Sequence, residues 1–591
     1  MQRELRGIDG VTILIYDQTC AAEKRRRRKK KEYPDPPQRI FINEAVCEGC
    51  GDCGQASNCL SVIPVETEWG RKRHIEQSSC NKDYSCINGF CPSFVTVTGA
   101  TLKKRVGSGF DAARLAAEIE KIGRPAPWNW TGPFDMLVTG VGGTGVVTVG
   151  ALITMAAHLE GKQASVLDFM GFAQKGGAVL SFVRVAPTAD QLNQVRIDTQ
   201  QADVLLACDM VVGASDDALA TVKPGRTAIL ANTHEIATAA FVRNPDATMH
   251  APELIAKLRH AAGDERVQLV DAQALAQELM GDTMPSNIIM LGACWQRGLV
   301  PVSFGALMRA IELNNVAVEN NKTAFAIGRL AVTDPSAFKR IMGVDQPPED
   351  PSARLSLFGP TGLIERRVEF LTAYQDAALA ARFRTLVEEV HAREQALGNA
   401  AAPLTTIVAQ QFSRLLAIKD EYEVARLYTD GSFARSLAEQ FDTVGKMEFH
   451  MAPPLLARPG PNGRPKKMRI GPWLMPALRM LAKSKGLRGT WADPFGHTEE
   501  RRLERALAGD YEAMLRDEIL PLLSADNHVL AQQIARVPER IRGYGHVKLG
   551  NLATGRAQWR VLLDKWHGRG GDGATKAGPA ERGRVIPISV A

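Results

Sequence analysis

The chain has 591 residues, 45% of them hydrophobic and 23% charged, with 72 Lys and Arg against 65 Asp and Glu for a formal charge of +7. The length calls for three or four domains, and the composition is ordinary for globular cores. The modest positive excess suits an acidic protein partner and excludes any need for nucleic acid, while ten cysteines that cluster instead of spreading in pairs argue against a secreted disulfide framework and for a reducing cytoplasm.

In chain order, the first apolar run, from Val11 to Tyr16, reads as a buried strand. Eight consecutive cations follow from Lys24 to Lys31, a run expected to be solvated. With no aromatic residues interleaved it gives no nucleic-acid module. Pro34, Pro36 and Pro37 form a stiff linker into the cysteine region.

Seven cysteines then occur within 45 residues: Cys47, Cys50, Cys53, Cys59, Cys80, Cys86 and Cys91, the last before Pro92. The two-residue gaps between the first three let consecutive thiolates converge on one [4Fe–4S] cubane, with Gly49, Gly51 and Gly54 easing a tight loop. Either Cys59 or Cys91 supplies the fourth ligand. If it is Cys91, then Cys59, Cys80 and Cys86 are left for a second centre, one cysteine short of the eight that two clusters want. A structural zinc site is the competing reading, but zinc favours two separated ligand pairs over three ligands at regular steps. Cys208 and Cys294 sit in apolar runs and read as inert core residues.

From about residue 134 to 343 apolar segments alternate with amphipathic ones. Strands are expected at Met136–Thr139, Ser165–Phe169, Val204–Cys208, Thr227–Ala231 and Val267–Asp271, in a mostly parallel sheet covered by helices on both faces. Met136 to Ala157 carries no charge over 22 residues. Its crowded glycines favour strand–turn–helix over a membrane span. The turn, Gly140, Gly142, Gly143 and Gly145, satisfies the dinucleotide fingerprint, with Asp168 in the following strand placed for a ribose hydroxyl. Gln174, Lys175, Gly176 and Gly177 could form an anion loop or a plain turn. Beyond 350, strand signals fade and helical spacing takes over, as in Leu503, Leu507, Tyr511, Met514, Leu515 and Leu522. His450, His497 and His546 stand in separate contexts, each read as structural. The end, from Gly568, reads as disordered. No internal repeat is visible.

Several of these segments carry a resemblance. Cys47-Glu-Gly-Cys-Gly-Asp-Cys53, Gly70-Arg-Lys-Arg73, Ser78-Ser-Cys-Asn-Lys-Asp83 and Gly89-Phe-Cys-Pro-Ser-Phe94 resemble the ferredoxin-like segment of the bacterial fused indolepyruvate ferredoxin oxidoreductases. Gly140–Gly145, Ala173-Gln-Lys-Gly-Gly177 and Asn314-x-x-Ala-Val318 are similar to the gamma domain of the 2-oxoacid:ferredoxin oxidoreductases. Phe449-His-Met-Ala-Pro-Pro-Leu455, Asp493-Pro-Phe-Gly496 and Arg542-Gly-Tyr-Gly-His-Val547 resemble the helical C-terminal extension of the fused proteins.

The resemblance implies a multidomain α/β chain. Residues 1–32 would be the tail of a thiamine-diphosphate domain and a basic linker. A ferredoxin-like [4Fe–4S] domain would span 33–105, a Rossmann-like gamma-type α/β domain 131–343, a mostly helical domain 350–565 and a tail 566–591. The chain would be the C-terminal half of a longer enzyme, as a split subunit or a truncated product. It implies oxidative decarboxylation of an aryl 2-oxoacid such as indolepyruvate, with the acyl group passing to coenzyme A and electrons leaving singly through iron–sulfur centres to ferredoxin. Thiamine diphosphate and Mg²⁺ would sit on the missing half or a partner. The family gives the glycine turn no established NAD role. A non-catalytic electron-transfer or scaffold subunit fits the same residues.

Overall fold

The computed structural model describes residues 1–103, 112–125, 132–170, 177–234, 244, 251–338, 359–399, 401–453, 457 and 465–568. Around the cysteines lie β1 (Gln38–Ile42), β2 (Val62–Val65), β3 (Lys72–Ile75) and β4 (Phe94–Thr98), with β5 (Thr101–Leu102) just beyond. The middle of the chain contributes β6 (Phe134–Val141), β7 (Gln163–Met170), β8 (Ala178–Ala186), β9 (Val204–Ala207), β10 (Ala228–Asn232) and β11 (Val267–Val270). Three late strands follow: β12 (Phe441–Thr443), β13 (Lys446–Met451) and β14 (Met468–Ile470).

The middle strands form one six-stranded sheet in the order β11-β10-β9-β6-β8-β7. β6, β9, β10 and β11 run parallel, while β8 is antiparallel to both β6 and β7. All eight residues of β6 are buried, as expected of a strand covered on both faces. One apolar core packs helices Val146–Leu159, Ser286–Gln296, Phe304–Asn314 and Val318–Thr333 on one face; the other face is covered by Met210–Gly213 and Ala251–Ala262. All five expected strands form, and the uncharged stretch from Met136 folds as strand, turn and helix. Among the described residues no helix is long and apolar enough to cross a membrane.

Two expectations fail at the amino end. Val11 to Tyr16 forms no strand and is exposed, Val11 at 96%; β-propensity alone cannot order a strand without a neighbour to pair with. The basic run forms a helix, Ala21–Lys29, that is docked as well as solvated. Arg25 Nη1 donates to Ser79 O at 3.1 Å and Arg28 Nη1 to Asn81 O at 2.5 Å, both carbonyls flanking Cys80.

The late region is mostly helical, around a core in which Phe383, Phe412 and Tyr511 stack in sequence and Trp559 packs tilted on Tyr511. Leu507, Tyr511, Met514 and Leu515 are buried as the spacing predicts. Leu522 is exposed instead, because a π-helical turn over Met514–Ile519 and then Pro521 break the helical phase. This region is also not separate from the cysteine region. β13 pairs antiparallel with β4, giving a four-stranded sheet β1-β4-β13-β14, and β12 pairs with β5. Phe449 on β13 is fully buried against the rings of Tyr428 and Phe433. The two-residue alternation Met447, Phe449, Met451 is the strand signal within a helical neighbourhood. Residues 339–358 and the tail from 569 lie outside the described residues.

On the opposite face of β13, His450 is buried with Nε2 2.7 Å from Thr96 Oγ1. Burial, aided by Lys467 and Arg469, pushes its pKa down to about 4 from 6.5. The folded protein therefore binds this proton less readily than the unfolded chain. The resulting stability is complete above pH 6.5 and is lost as pH falls towards 4. Denaturant unfolding at pH 7 and pH 5 should show a smaller loss of stability for His450→Gln than for the wild type; equal losses would mean that His450 accepts its proton in place.

Candidate iron–sulfur centre

Two loops carry the thiols. The first leaves β1 through Cys47 and Cys50 into the short helix Asp52–Ser57, which holds Cys53. The second follows β3 through Cys80 into a 3₁₀ turn, Ser85–Asn88, which holds Cys86. They repeat each other's backbone. Gly49 and Gly51 have φ of +70° and +79°, and Lys82 and Tyr84, at the matching places of the second loop, have +53° and +63°. Gly49 N–H points at Cys47 Sγ at 3.3 Å and Lys82 N–H at Cys80 Sγ at 3.4 Å. Only glycine adopts such φ without strain, so Lys82 and Tyr84 hold a conformation costing on the order of 1–2 kcal/mol each. The repeat is hidden in the sequence because the two loops share little beyond their outer cysteines.

The structure divides the seven cysteines. Cys47, Cys50, Cys53 and Cys91 line one small cavity together with Arg73 and Phe90. Cys59, Cys80 and Cys86 form the other group, with Cys59 raising the thiols of both others. None of the seven cysteines in these two groups is in a disulfide. Cys91 reaches the first cavity because the chain returns there: Phe90 N–H donates to Asp52 Oδ2 at 2.6 Å, and a Cβ on Gly89 would lie 2.6 Å from Cys53 Cα.

Burial pushes the thiols of Cys50 and Cys53 well up, and Cys91 and Cys47 add to it. Burial also pushes Cys86 up to about 12, with Cys59, Cys80 and Asp83 adding to it. Thiols so placed are held as thiolates only by a positive centre among them. Four such donors facing a shared cavity fit an iron–sulfur cubane. Among the described residues no group of three or more His, Cys, Asp or Glu side chains is arranged to hold a metal ion. Such an arrangement is one for a single ion; the ligands of a cubane bind separate irons and stand farther apart.

Positive groups surround this cavity, most of them from distant sequence. Arg73 lines it, and the buried Lys72, its neighbour on β3, lies in the field of Glu48 and Cys47. Lys467 donates to the carbonyls of Gly89 and Cys91. Lys419 donates to Cys47 O at 2.9 Å and pairs with Glu48 at 2.9 Å. Burial would raise the Glu48 pKa, but Lys419, Arg414, Lys548 and Lys72 hold it well below the usual carboxylate range. Tyr544 donates to Val46 O at 2.6 Å and Tyr428 to Pro92 O at 2.7 Å. A Cβ on Gly543 would come within 3.4 Å of Cys50 Cβ. Lys72, Arg73, Gly543 and Tyr544 fall in segments that carry the resemblance, with no role read for them there, while Lys419, Tyr428 and Lys467 have no signal in the sequence.

The glycine turn lies apart, in the α/β domain. Gly140 lets β6 pack on the following helix, since a Cβ there would meet Val146 Cγ2 at 2.4 Å. Gly143 and Gly145 have φ of +85° and +94°. Gly142 N–H is spent on Gly177 O at 2.8 Å and Thr144 N–H on Val141 O at 3.3 Å, donors a diphosphate would need. β8 stands between β6 and β7, so Asp168 is not on the strand beside the turn, where the fingerprint requires its acid. Gln174, Lys175 and Gly176 lie outside the described residues. Cys208 and Cys294 are buried in the α/β core. The structure does not bring His450, His497 and His546 together: His450 bonds Thr96, His497 faces the Trp491 carbonyl and His546 lies 4.8 Å from the Phe90 ring.

In a Cys86→Ala background, which disables the second group, Cys91→Ala should remove the remaining irons, about four per chain, while Cys59→Ala leaves them. Iron and sulfide counts on anaerobically purified protein decide, and the reverse pattern would make Cys59 the fourth ligand. Replacing Lys467 by Met removes a positive charge beside Cys91 and should lower the midpoint potential by on the order of tens of mV in an EPR titration. An unchanged potential would leave Lys467 a structural brace.

A model of the family described as pyruvate ferredoxin/flavodoxin oxidoreductase matches residues 135–331, and one of a family of unknown function, DUF6537, matches residues 361–561. The chain is 28% identical over 200 residues to indolepyruvate oxidoreductase subunit IorB of Pyrococcus horikoshii, covering 33% of this chain and 94% of that protein. It is 27% identical over 198 residues to the gamma subunit of NADH-dependent phenylglyoxylate dehydrogenase of Aromatoleum evansii, covering 33% and 92%. Among solved structures, the pyruvate oxidoreductase subunit PORC of Thermotoga maritima aligns with a TM-score of 0.25 and 21% identity, over 34% of this chain and 96% of that one. Residues 135–331 thus match the model of the pyruvate ferredoxin/flavodoxin oxidoreductase family and are similar to subunits of 2-oxoacid oxidoreductases.

Proposed function

We propose that the chain is the electron-exit component of a thiamine-dependent oxidoreductase that converts an aryl 2-oxoacid, of the indolepyruvate type, and coenzyme A to an acyl-CoA and CO₂. Two electrons leave one at a time to ferredoxin. The observation that carries this reading is a four-cysteine cavity in the same chain as a gamma-type domain. The relatives' names add 2-oxoacid chemistry, and two of them, indolepyruvate and phenylglyoxylate, point to aryl substrates.

Cys47, Cys50, Cys53 and Cys91 would hold a [4Fe–4S] cluster, which when bound supplies one-electron storage at low potential. The chain's own residues do the rest. Arg73 and Lys467 offset the negative charge of the ligand set. Phe90, Phe94 and Ile42 line the cavity and keep water from it. The second loop touches the α/β domain, with Ser78 Oγ 3.1 Å from Thr283 Oγ1, so the cysteine region and the gamma-type domain share a boundary. Thiamine diphosphate and Mg²⁺ are supplied by a thiamine-bearing domain or subunit that works with this chain.

The test is aryl-pyruvate-dependent and coenzyme A-dependent reduction of ferredoxin by the chain together with a thiamine-bearing partner. Turnover is expected only with both present, and Cys50→Ala should reduce ferredoxin reduction to background. Turnover by this chain with no thiamine-bearing partner, or full activity of Cys50→Ala, would contradict the reading.

A further inference from the structure

The second thiol group has three cysteines, and the backbone repeat says which residue completes it. In the first loop Cys47, Cys50 and Cys53 are ligands from the loop and helix, and Cys91 arrives from the far end of the other loop. In the second loop Cys80 matches Cys47 and Cys86 matches Cys53, both of the latter being the second residue of their helical turn. Cys59, which follows the first helix, reaches the second group as Cys91 reaches the first. The residue matching Cys50 is Asp83.

We propose that Asp83 is the fourth ligand of a second cubane held by Cys59, Cys80 and Cys86. This rests on the reading that the first loop holds an iron–sulfur cluster. Asp83 sits between Lys82 and Tyr84, the two non-glycine residues kept at positive φ, as Cys50 sits between Gly49 and Gly51. A loop with no metal to bind has no reason to retain that shape with side chains that disfavour it. Asp83 is an electrostatic neighbour of both Cys80 and Cys86. Its Oδ1 accepts from Ser85 N–H at 3.1 Å and Ser85 Oγ at 2.9 Å, which ties the carboxylate to the turn that carries Cys86, and Oδ2 is the oxygen that would coordinate.

Asp83 is exposed, and a carboxylate is a harder and weaker partner for iron in a sulfide cluster than a thiolate. The iron it holds is therefore the labile one. Mild oxidation by ferricyanide takes one electron from the [4Fe–4S]²⁺ cluster, and the cluster releases that iron as Fe²⁺ to leave [3Fe–4S]⁺. The electron ends on ferricyanide, which becomes ferrocyanide.

The experiment counts iron and records EPR spectra of the full chain, purified anaerobically, before and after ferricyanide. The wild type should hold about eight irons, lose about one on oxidation and show a three-iron signal. Asp83→Cys should keep about eight irons and show no such signal, Asp83→Ala should hold about seven from the start, and Cys86→Ala should hold about four and show no three-iron signal. If the wild type, Asp83→Ala and Asp83→Cys all oxidise alike, Asp83 is not a ligand. If the wild type and Cys86→Ala both hold about four irons, there is no second cluster and only this inference fails. If the wild type binds no iron, the reading of the first loop fails with it.

Discussion

Several thiols buried within reach of one another set the terms for much of this structure. Two unit charges 4 Å apart repel by about 4 kcal/mol at an effective dielectric constant near 20, and burial adds to that cost for Cys50 and Cys53. A protein that keeps such groups ionised needs a metal centre among them and positive charge around them. Without the centre these thiols hold their protons. A cluster bound here would make its own assembly, proton release and the folding of the cysteine region one linked event.

The late helical region takes part in meeting that constraint. It supplies β13 and β14 to the sheet that carries the first cysteine loop. It also brings Lys467 to the Cys91 carbonyl, Lys419 to that of Cys47, and the Gly543–Tyr544 corner against Cys50 and Val46. The part of this region that matches a family of unknown function thereby forms one wall of the candidate iron–sulfur centre. Its own core of stacked aromatic rings backs that wall.

The α/β domain meets the second cysteine loop through Ser78 and Thr283. Its sheet departs from a dinucleotide-binding order at the place that matters, because antiparallel β8 takes the position next to β6. The glycine turn then serves backbone packing, with Asn287 Nδ2 holding Thr144 O at 2.9 Å from a neighbouring helix. A glycine-rich strand–helix turn has the same local sequence whether or not a phosphate sits on it. The strand order decides, and strand order is not local.

Much of the site could be read from the chain alone. The three-residue steps of Cys47, Cys50 and Cys53 fit a cubane loop, because thiolate spacing along a tight turn is a local property. The α/β alternation is equally local, since each strand's burial is written in its own run of apolar residues. Three things were decided only in three dimensions. The choice of Cys91 over Cys59 depends on where the chain returns after the second loop. The partnership of β4 with β13 joins residues some 350 positions apart, and the Met447, Phe449, Met451 alternation shows only that a strand is possible. The equivalence of Asp83 and Cys50 appears in backbone angles while their side chains differ. In each case the reason is the same: sequence fixes what a segment can do by itself, and the fold fixes which distant segment it meets.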